Sequence, residues 1–375
     1  MEAASTEIQD ARHAGLRYVD DTMPGFRRKR SGSSFLYVDA GGKRITSKDE
    51  LERIRALAIP PAYEDVWICP LAHGHVQATA RDAKGRKQYR YHKRWSEVRD
   101  ANKYEATLAF AAALPALRAR VESDLARPDM SREKVLASVV RMLESTLIRV
   151  GNESYVRENG SFGLTTLRAR HVRLEGEKRI RLKFRGKSGV EHAVTIEDRR
   201  LARTVKRCRD LPGETLFCYV DDGGTAVPVT SDDVNDYIRE VSGGDFSAKD
   251  FRTWSATVIC ALALEDAGSA ETQAIAKQNV VAAATAAAKR LGNTAAVCRK
   301  SYIHPLVVET YLDELALVLP KAAKRAKKGL EADERRVLAF LVKAKKKDAR
   351  AARITLLKRS VIEAKRKRAP KAATG

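Results

Sequence analysis

The 375-residue sequence predicts an α+β protein: a small β-rich N-terminal domain ahead of a larger, mostly α-helical domain carrying a small antiparallel sheet. Three observations carry this. Short alternating apolar runs punctuated by Gly and Pro fill the stretch from Tyr18 to Tyr91. Ala- and Leu-rich runs with helical spacing follow Ala106. One alternating block, His171 to Ile196, interrupts those helices. The expected divisions are 1–95, 96–319 and a Lys/Arg-rich tail at 320–375.

In the first domain, residues before Leu16 read as a loose end. Phe35-Leu-Tyr-Val-Asp39 and Asp65-Val-Trp-Ile-Cys69 read as strands, with turns at Gly41-Gly42 and His73-Gly74. Ser47 with Glu50 forms a capping box for a helix over about Ser47 to Ala58, which Pro60-Pro61 stops. From Arg81 to His92, basic residues, an amide and two tyrosines alternate along what reads as one strand. Arg86 and Lys87 suit phosphates; Gln88, Tyr89 and Tyr91 suit base edges or the backbone of a nucleic acid. An amphipathic edge strand with solvated charges reads equally well from the same residues. His73 and His75 make an H-x-H pair with no other ligand cluster beside it, which suits a strand or loop.

Trp95 to Asn102 reads as a bridge. Ala106 to Val121 is helical, with Pro115 as a kink or break. Ser131 opens the next helix, whose stripe of Val135, Val139, Met142, Leu143 and Leu147 runs on towards Gly151. That places Arg149 in its last turn, where a cation complements the helix dipole. His171 to Leu174, Arg179 to Phe184 and Val190 to Ile196 read as three strands. Gly186-Lys187-Ser188 lies in the second turn, but it is not a P-loop: the required earlier glycine is Arg181, and a strand follows. Lys187 is left at a hairpin tip, free to reach a bound group. Further helices are expected over about Glu197–Cys208, Ser231–Val241, Ala248–Ala267, Glu271–Leu291 and Pro305–Leu317. Arg252, near the start of the third, suits an anion held with the free N–H groups of that turn. From these residues alone, a surface arginine paired with Asp250 or with a neighbouring helix is the favoured reading. Tyr302 stands among Arg299, Lys300 and His304, a cationic setting that favours a phenolate, although by itself a tyrosine packed on the core with its hydroxyl at the surface is the favoured reading.

The formal net charge is +23 with a pI near 9.9, which points to a polyanionic partner, nucleic acid first and an anionic membrane second. Lys321 to Gly375 holds twenty Lys and Arg against five Asp and Glu, so most of the excess sits there. That tail has apolar stripes at Leu330, Val337, Leu338 and Leu341, then at Ile354, Leu357 and Val361, and it ends in the run Lys365 to Arg368. It reads as DNA-binding helix or as a solvated, disordered end. Five scattered cysteines with no CxxC pair argue against a disulfide framework or a zinc module. Without a signal-peptide profile or a membrane-length apolar run, the expectation is a soluble protein of the cytoplasm.

Several local strings resemble the type IB DNA topoisomerases in their compact poxvirus-like and bacterial form. Ile148-Arg-Val-Gly151 with Tyr155 after it is similar to the first-arginine segment, and Gly163-Leu-Thr-Thr-Leu-Arg168 follows in order. Phe184-Arg-Gly-Lys187 resembles the lysine hairpin, Lys249-Asp-Phe-Arg-Thr253 the second-arginine segment and Ser301-Tyr302 the nucleophile segment. Gly85-Arg-Lys-Gln-Tyr-Arg-Tyr91 is similar to the N-terminal strand that lies on DNA in this group. The resemblance covers about Tyr18 to Leu317. It departs from the poxvirus pattern nine residues before the tyrosine, where Asn293 replaces a histidine; bacterial relatives look similar in this. An amide still donates a hydrogen bond but carries no charge.

What the resemblance implies is a phosphoryl transfer. Tyr302 would attack a DNA phosphodiester and form a 3′-phosphotyrosyl link, freeing a 5′-hydroxyl. Arg149 and Arg252 would clamp the non-bridging oxygens, with Asn293 as a third donor. Lys187 would protonate the leaving 5′-oxygen. Tyr155 and Lys249 join Arg86, Gln88, Tyr89 and Tyr91 as expected DNA contacts. Strand rotation between cleavage and resealing would relax supercoils, and resealing would need no ATP, metal or other cofactor. The expected partner is double-stranded DNA, with no membrane and no small-molecule cofactor, and the expected state is a monomer at the nucleoid. Tyrosine recombinases share Arg, Lys, Arg and Tyr, but they usually have histidine where Lys249 stands and a helical N-terminal domain. A non-catalytic architectural DNA binder would leave the ordered catalytic set without a purpose.

Overall fold

The structure, a computed structural model, describes residues 2–83, 85–321 and 329–347. The chain divides into two compact units, between Glu105 and Ala106.

The first unit opens with a helix, α1 (Glu2–His13), where a loose end was expected. One antiparallel sheet follows, built from β1 (Phe26–Ser31), β2 (Ser34–Val38), β3 (Glu64–Ile68), β4 (Val76–Arg81) and β5 (Lys87–Tyr91) in the order β2-β1-β3-β4-β5. Alternation along β3 sends Val66 and Ile68 to a core shared with Ile54, Ala78 and Ala80, and Trp67 to another with Val19, Cys69 and Val76. Ile54 comes from α2 (Lys48–Ala56). Ser47 accepts from the Glu50 N–H there, but the Glu50 carboxylate turns to Arg53 at 2.8 Å, so only half of the expected capping box forms. The helix stops two residues early, with Ala58 at a positive φ before the prolines. Arg81 to His92 is a hairpin and not one strand: Asp82 accepts the Arg86 N–H and Gly85 adopts φ +73 to close the turn between β4 and β5.

The segment expected as a bridge is part of α3 (Lys93–Leu125), which continues through Pro115. In the second unit α4 (Arg132–Thr146), α6 (Arg199–Asp210), α7 (Ser231–Ser242), α8 (Ala248–Asp266), α9 (Gln273–Leu291), α10 (Ala295–Ser301) and α11 (Pro305–Glu314) enclose one core, while the short α5 (Glu153–Asn159) has no buried residue. The sheet of β6 (Val172–Glu175), β7 (Arg179–Arg185) and β8 (Glu191–Glu197) is antiparallel in the order β6-β7-β8, as expected from its alternation. A small ribbon, β9 (Cys218–Val220) with β10 (Ala226–Pro228), was not expected. Alanines at 276, 283, 284, 287 and 288 form the buried side of α9 and let it lie close against α8.

The expected tail has two parts. A helix over 332–347 is packed into the core of the second unit through Val337, Phe340 and Leu341, with Leu330 just before it. Its Glu334 accepts from both terminal nitrogens of Arg118 on α3, at 2.7 and 2.9 Å, and from the Trp254 indole N–H on α8 at 3.0 Å. Ile354, Leu357, Val361 and the run Lys365 to Arg368 lie outside the described residues. No helix among the described residues is long and apolar enough to cross a membrane.

Candidate active site

Arg149 stands just past α4 and not in its last turn. The helix ends at Thr146, and Leu147 takes a left-handed conformation (φ +58) that turns the chain away. Two glycines then let residues 149–151 run against 163–165. A Cβ on Gly163 would lie 2.5 Å from Gly151 N and Cα, and Gly151 itself has φ +106. Backbone bonds close the pair: Leu164 N–H to Arg149 O at 2.9 Å and Thr165 N–H to Val150 O at 2.7 Å. The Arg149 backbone is thereby fixed, and its side chain is half-buried.

Arg252 comes from the second turn of α8 and is only 3% exposed. Asp250 does not pair with it; that carboxylate accepts from Ser247 at the start of the helix. Instead the guanidinium donates to Leu147 O at the end of α4 and, at 2.9 Å, to Leu291 O at the end of α9. Terminal carbonyls of a helix lack intrahelical partners and carry the negative end of its dipole. Two such ends compensate the buried charge, and in doing so Arg252 ties together the segments that carry Arg149 and Asn293.

Tyr302 is the residue that ends α10, with φ −136 and ψ −18. Its backbone N–H donates to Cys298 O at 2.8 Å. Behind it the buried Thr257 hydroxyl lies 2.8 Å from Thr253 O and 3.3 Å from Tyr302 O, and it accepts the His304 N–H at 3.0 Å. The phenol faces the other way, with the Arg252 guanidinium 5.3 Å from its ring centre. Burial by itself pushes the phenol pKa up. Against it stand the positive charges of Arg252 first, then Arg149 and Lys249, and together they hold the phenol below its ordinary range. Cys298, one turn back and fully buried, goes the opposite way: burial pushes its thiol up to about 11 despite Arg252.

Lys187 is on the turn between β7 and β8, where Ser188 takes φ +62. Its ammonium rests 5.2 Å from the ring centre of Tyr155 on α5. Asn293 follows Gly292, the left-handed residue that ends α9, and its Oδ1 accepts from Arg149 Nη2 at 2.6 Å. The side chains of Arg149, Lys187, Arg252, Tyr302, Tyr155 and Lys249 line one pocket of about 270 Å³ with Phe162 in its wall. Asn293 is not on the pocket wall; it stands behind Arg149. Cations, a phenol with depressed pKa and an exposed lysine around one small opening suit an anionic centre undergoing nucleophilic attack. His304 is no base here: it is 4% exposed and caps α11 through Nδ1, which accepts the Leu306 N–H at 3.3 Å.

In the first unit β5 divides the expected DNA contacts by face. Tyr89 and Tyr91 are exposed and stacked, with ring centres 5.8 Å apart and planes at 7°. Lys87 shares their face, 5.6 Å from the Tyr89 ring centre. Gln88 faces the other way and donates to Asp82 at 3.0 Å; Arg86 pairs with the same carboxylate at 2.6 Å. The period of a strand explains this: neighbours in sequence point to opposite sides.

Sequence reasoning passed over Thr257, His192, the Gly151–Gly163 contact and the two helix ends around Arg252. The glycines had a signal, being paired in the strings Ile148–Gly151 and Gly163–Arg168. The carbonyls had none, since every residue has one.

Comparison with known proteins gives two family matches. The family described as "Eukaryotic DNA topoisomerase I, catalytic core" matches residues 88–329, and "Bacterial DNA topoisomerase IB, N-terminal domain" matches residues 34–82. DNA topoisomerase 1B of Acanthamoeba polyphaga mimivirus is 33% identical over 297 residues, covering 77% of this chain and 88% of that protein. DNA topoisomerase 1B of vaccinia virus (strain Copenhagen) is 27% identical over 158 residues, 41% of this chain and 49% of that protein. DNA topoisomerase 1 of Mycosarcoma maydis is 26% identical over 176 residues, 42% of this chain and 17% of that protein.

Proposed function

This chain belongs to the DNA topoisomerase I family in its type IB form, and from that premise we propose that Tyr302 cuts and reseals one strand of duplex DNA to relax supercoils. The observation that carries the reading is Tyr302 itself: a half-buried phenol under the Arg252 guanidinium, opening on a pocket shared with Arg149, Lys187 and Lys249.

In this reading the Tyr302 oxygen attacks a phosphorus held in the pocket, its pKa already lowered by the cations that receive the phosphate. Arg149 and Arg252 stabilise the negative charge that grows on the non-bridging oxygens; both are fixed before the substrate arrives, so little reorganisation is needed at the transition state. Arg252 has its two terminal nitrogens on carbonyls and its Nε buried without a partner. Lys187 moves from Tyr155 to protonate the departing 5′-oxygen, which is a poor leaving group as an alkoxide. Asn293 acts through Arg149, whose guanidinium it orients. The 3′-phosphotyrosyl bond conserves the energy of the phosphodiester, so resealing is the reverse step and needs no ATP. The charge that a metal would supply elsewhere comes from side chains.

Tyr89, Tyr91 and Lys87 form the face of the first unit that this reading lays on DNA. It also assigns a monomer working on nucleoid DNA in the cytoplasm. The direct test is relaxation of a supercoiled plasmid by purified protein in EDTA without ATP. Complete dependence on Mg²⁺ or ATP would overturn the mechanism.

A further inference from the structure

The turn that carries Lys187 meets the loop after α9 chiefly through the imidazole of His192, with the Val190 side chain beside it. His192 is on β8, paired in register with Phe184 on β7, and the two rings stack at 4.9 Å and 13°. Its other edge meets two glycines from different elements. A Cβ on Gly186, the residue before Lys187, would lie 2.6 Å from His192 Nε2; a Cβ on Gly292, the residue before Asn293, would lie 3.4 Å from Cε1.

The two glycines have different reasons to be glycine. Gly292 has φ +63, a conformation the turn itself demands. Gly186 has φ −97 and ψ −166, extended backbone that any residue adopts. What excludes a side chain at 186 is the imidazole. The ring therefore fills the gap between the lysine turn and the loop that carries Asn293. The charged groups around it are Arg149, Arg252 and Glu191; burial first, then the two arginines, favour the neutral ring, which packs there without adding a third cation to the pair.

We propose that His192 is a positioning residue for Lys187: wedged between Gly186 and Gly292, it sets where the lysine turn sits over the phosphate pocket and so whether the ammonium reaches the leaving oxygen. This rests on the reading of Lys187 as the general acid. In that step Tyr302, its phenol proton lost to solvent, attacks as the phenolate: the Tyr302 O–P bond forms while the P–O5′ bond breaks, and the Lys187 proton goes to O5′. If sulfur replaces the bridging 5′-oxygen, the leaving group is a thiolate with a conjugate acid near ~8.5, and it departs without that proton.

The test is single-turnover cleavage at one mapped site in two duplexes, one normal and one with the 5′-bridging sulfur. Lys187→Ala checks the underlying reading: it should be slow on oxygen and restored on sulfur. His192→Ala should slow oxygen cleavage about 10- to 100-fold through misplacement of the acid, and leave sulfur cleavage close to wild type. Gly186→Ala should reproduce this, because its methyl displaces the ring. Added to His192→Ala it should cost nothing more, because the methyl then has room. If Lys187→Ala is not restored by sulfur, the general-acid reading fails and this inference with it. If Lys187→Ala is restored but His192→Ala is equally slow on both duplexes, or slow on neither, His192 does not act through Lys187. Should His192→Ala not fold, His192→Gln, which keeps a planar polar end, carries the same comparison.

Discussion

Arg149 and Asn293 are joined side chain to side chain across 144 positions of sequence, Nη2 donating to Oδ1 at 2.6 Å. A guanidinium only donates, so the bond fixes which end of the amide faces it, and Asn293 Nδ2 is left buried without a partner. Arg252 holds the same two segments by their backbones, through Leu147 O and Leu291 O. The first arginine is thus aimed by the asparagine, and both are set by the second arginine.

If Asn293 acts through Arg149, Asn293→Ala should slow DNA cleavage about tenfold, the worth of one hydrogen bond to a charged group. Arg149→Ala should cost at least about a hundredfold, as for other lost transition-state donors. The double variant should then be no slower than Arg149→Ala alone. Single-turnover cleavage rates of the three decide it; a further loss in the double variant would give the amide its own contact with the phosphate.

Removing only the Tyr302 hydroxyl should separate binding from chemistry. Tyr302→Phe is expected to bind duplex DNA about as well as wild type in a filter or mobility assay, yet to give no covalent adduct after detergent denaturation. An adduct of normal yield would move the nucleophile elsewhere.

Lys249 is exposed, and its charge helps lower the Tyr302 pKa. Lys249→Gln removes that help while burial still pushes the phenol up. The sign follows: Tyr302 should ionise at higher pH, and the pH–rate profile of cleavage should shift to the alkaline side. An unshifted profile would mean that Tyr302 ionisation does not limit the rate.

Two C-terminal truncations should behave differently. A chain ending at Lys347 keeps Glu334 under Arg118 and Trp254 and should melt close to wild type. Its DNA affinity should be weaker and less steep in salt, because fewer phosphates are neutralised. A chain ending at Pro320 also loses Val337, Phe340 and Leu341 from the core and leaves Arg118 without Glu334. It should be destabilised on the order of 5 kcal/mol. Denaturant unfolding and salt titrations check both; a wild-type salt slope after the first cut would remove the terminal segment from the DNA contacts.

What was legible in the sequence was periodic or came in short strings. Ile180, Leu182 and Phe184 announced β7 by alternation, and the order Arg149, Lys187, Arg252, Tyr302 announced the pocket they line. The left-handed turn at Leu147 was not legible, because that conformation is usually signalled by Gly or Asn, so Arg149 was read as helical. Gln88 was grouped with two tyrosines that face away from it, because local composition was given more weight than the two-residue period. The packed helix at 332–347 was hidden by its lysines and arginines. Long basic side chains on its outer side masked an inner stripe that needed a core to identify it. The surroundings of Arg252 could not be read at all, since its partners are main-chain oxygens from helix ends 105 and 39 residues away.

The opposite shifts at Tyr302 and Cys298 bear on how the protein meets oxidative stress. Burial pushes the Cys298 thiol up to about 11, which favours the thiol over the thiolate at neutral pH. Cys208 and Cys260 are pushed to about 12, and all five cysteines are buried and free. Peroxides and alkylating agents act on accessible thiolates, so the sulfur beside the nucleophile is inert toward them. Burial thus leaves the phenol of Tyr302, and not the sulfur one turn behind it, as the group whose ionisation the site favours.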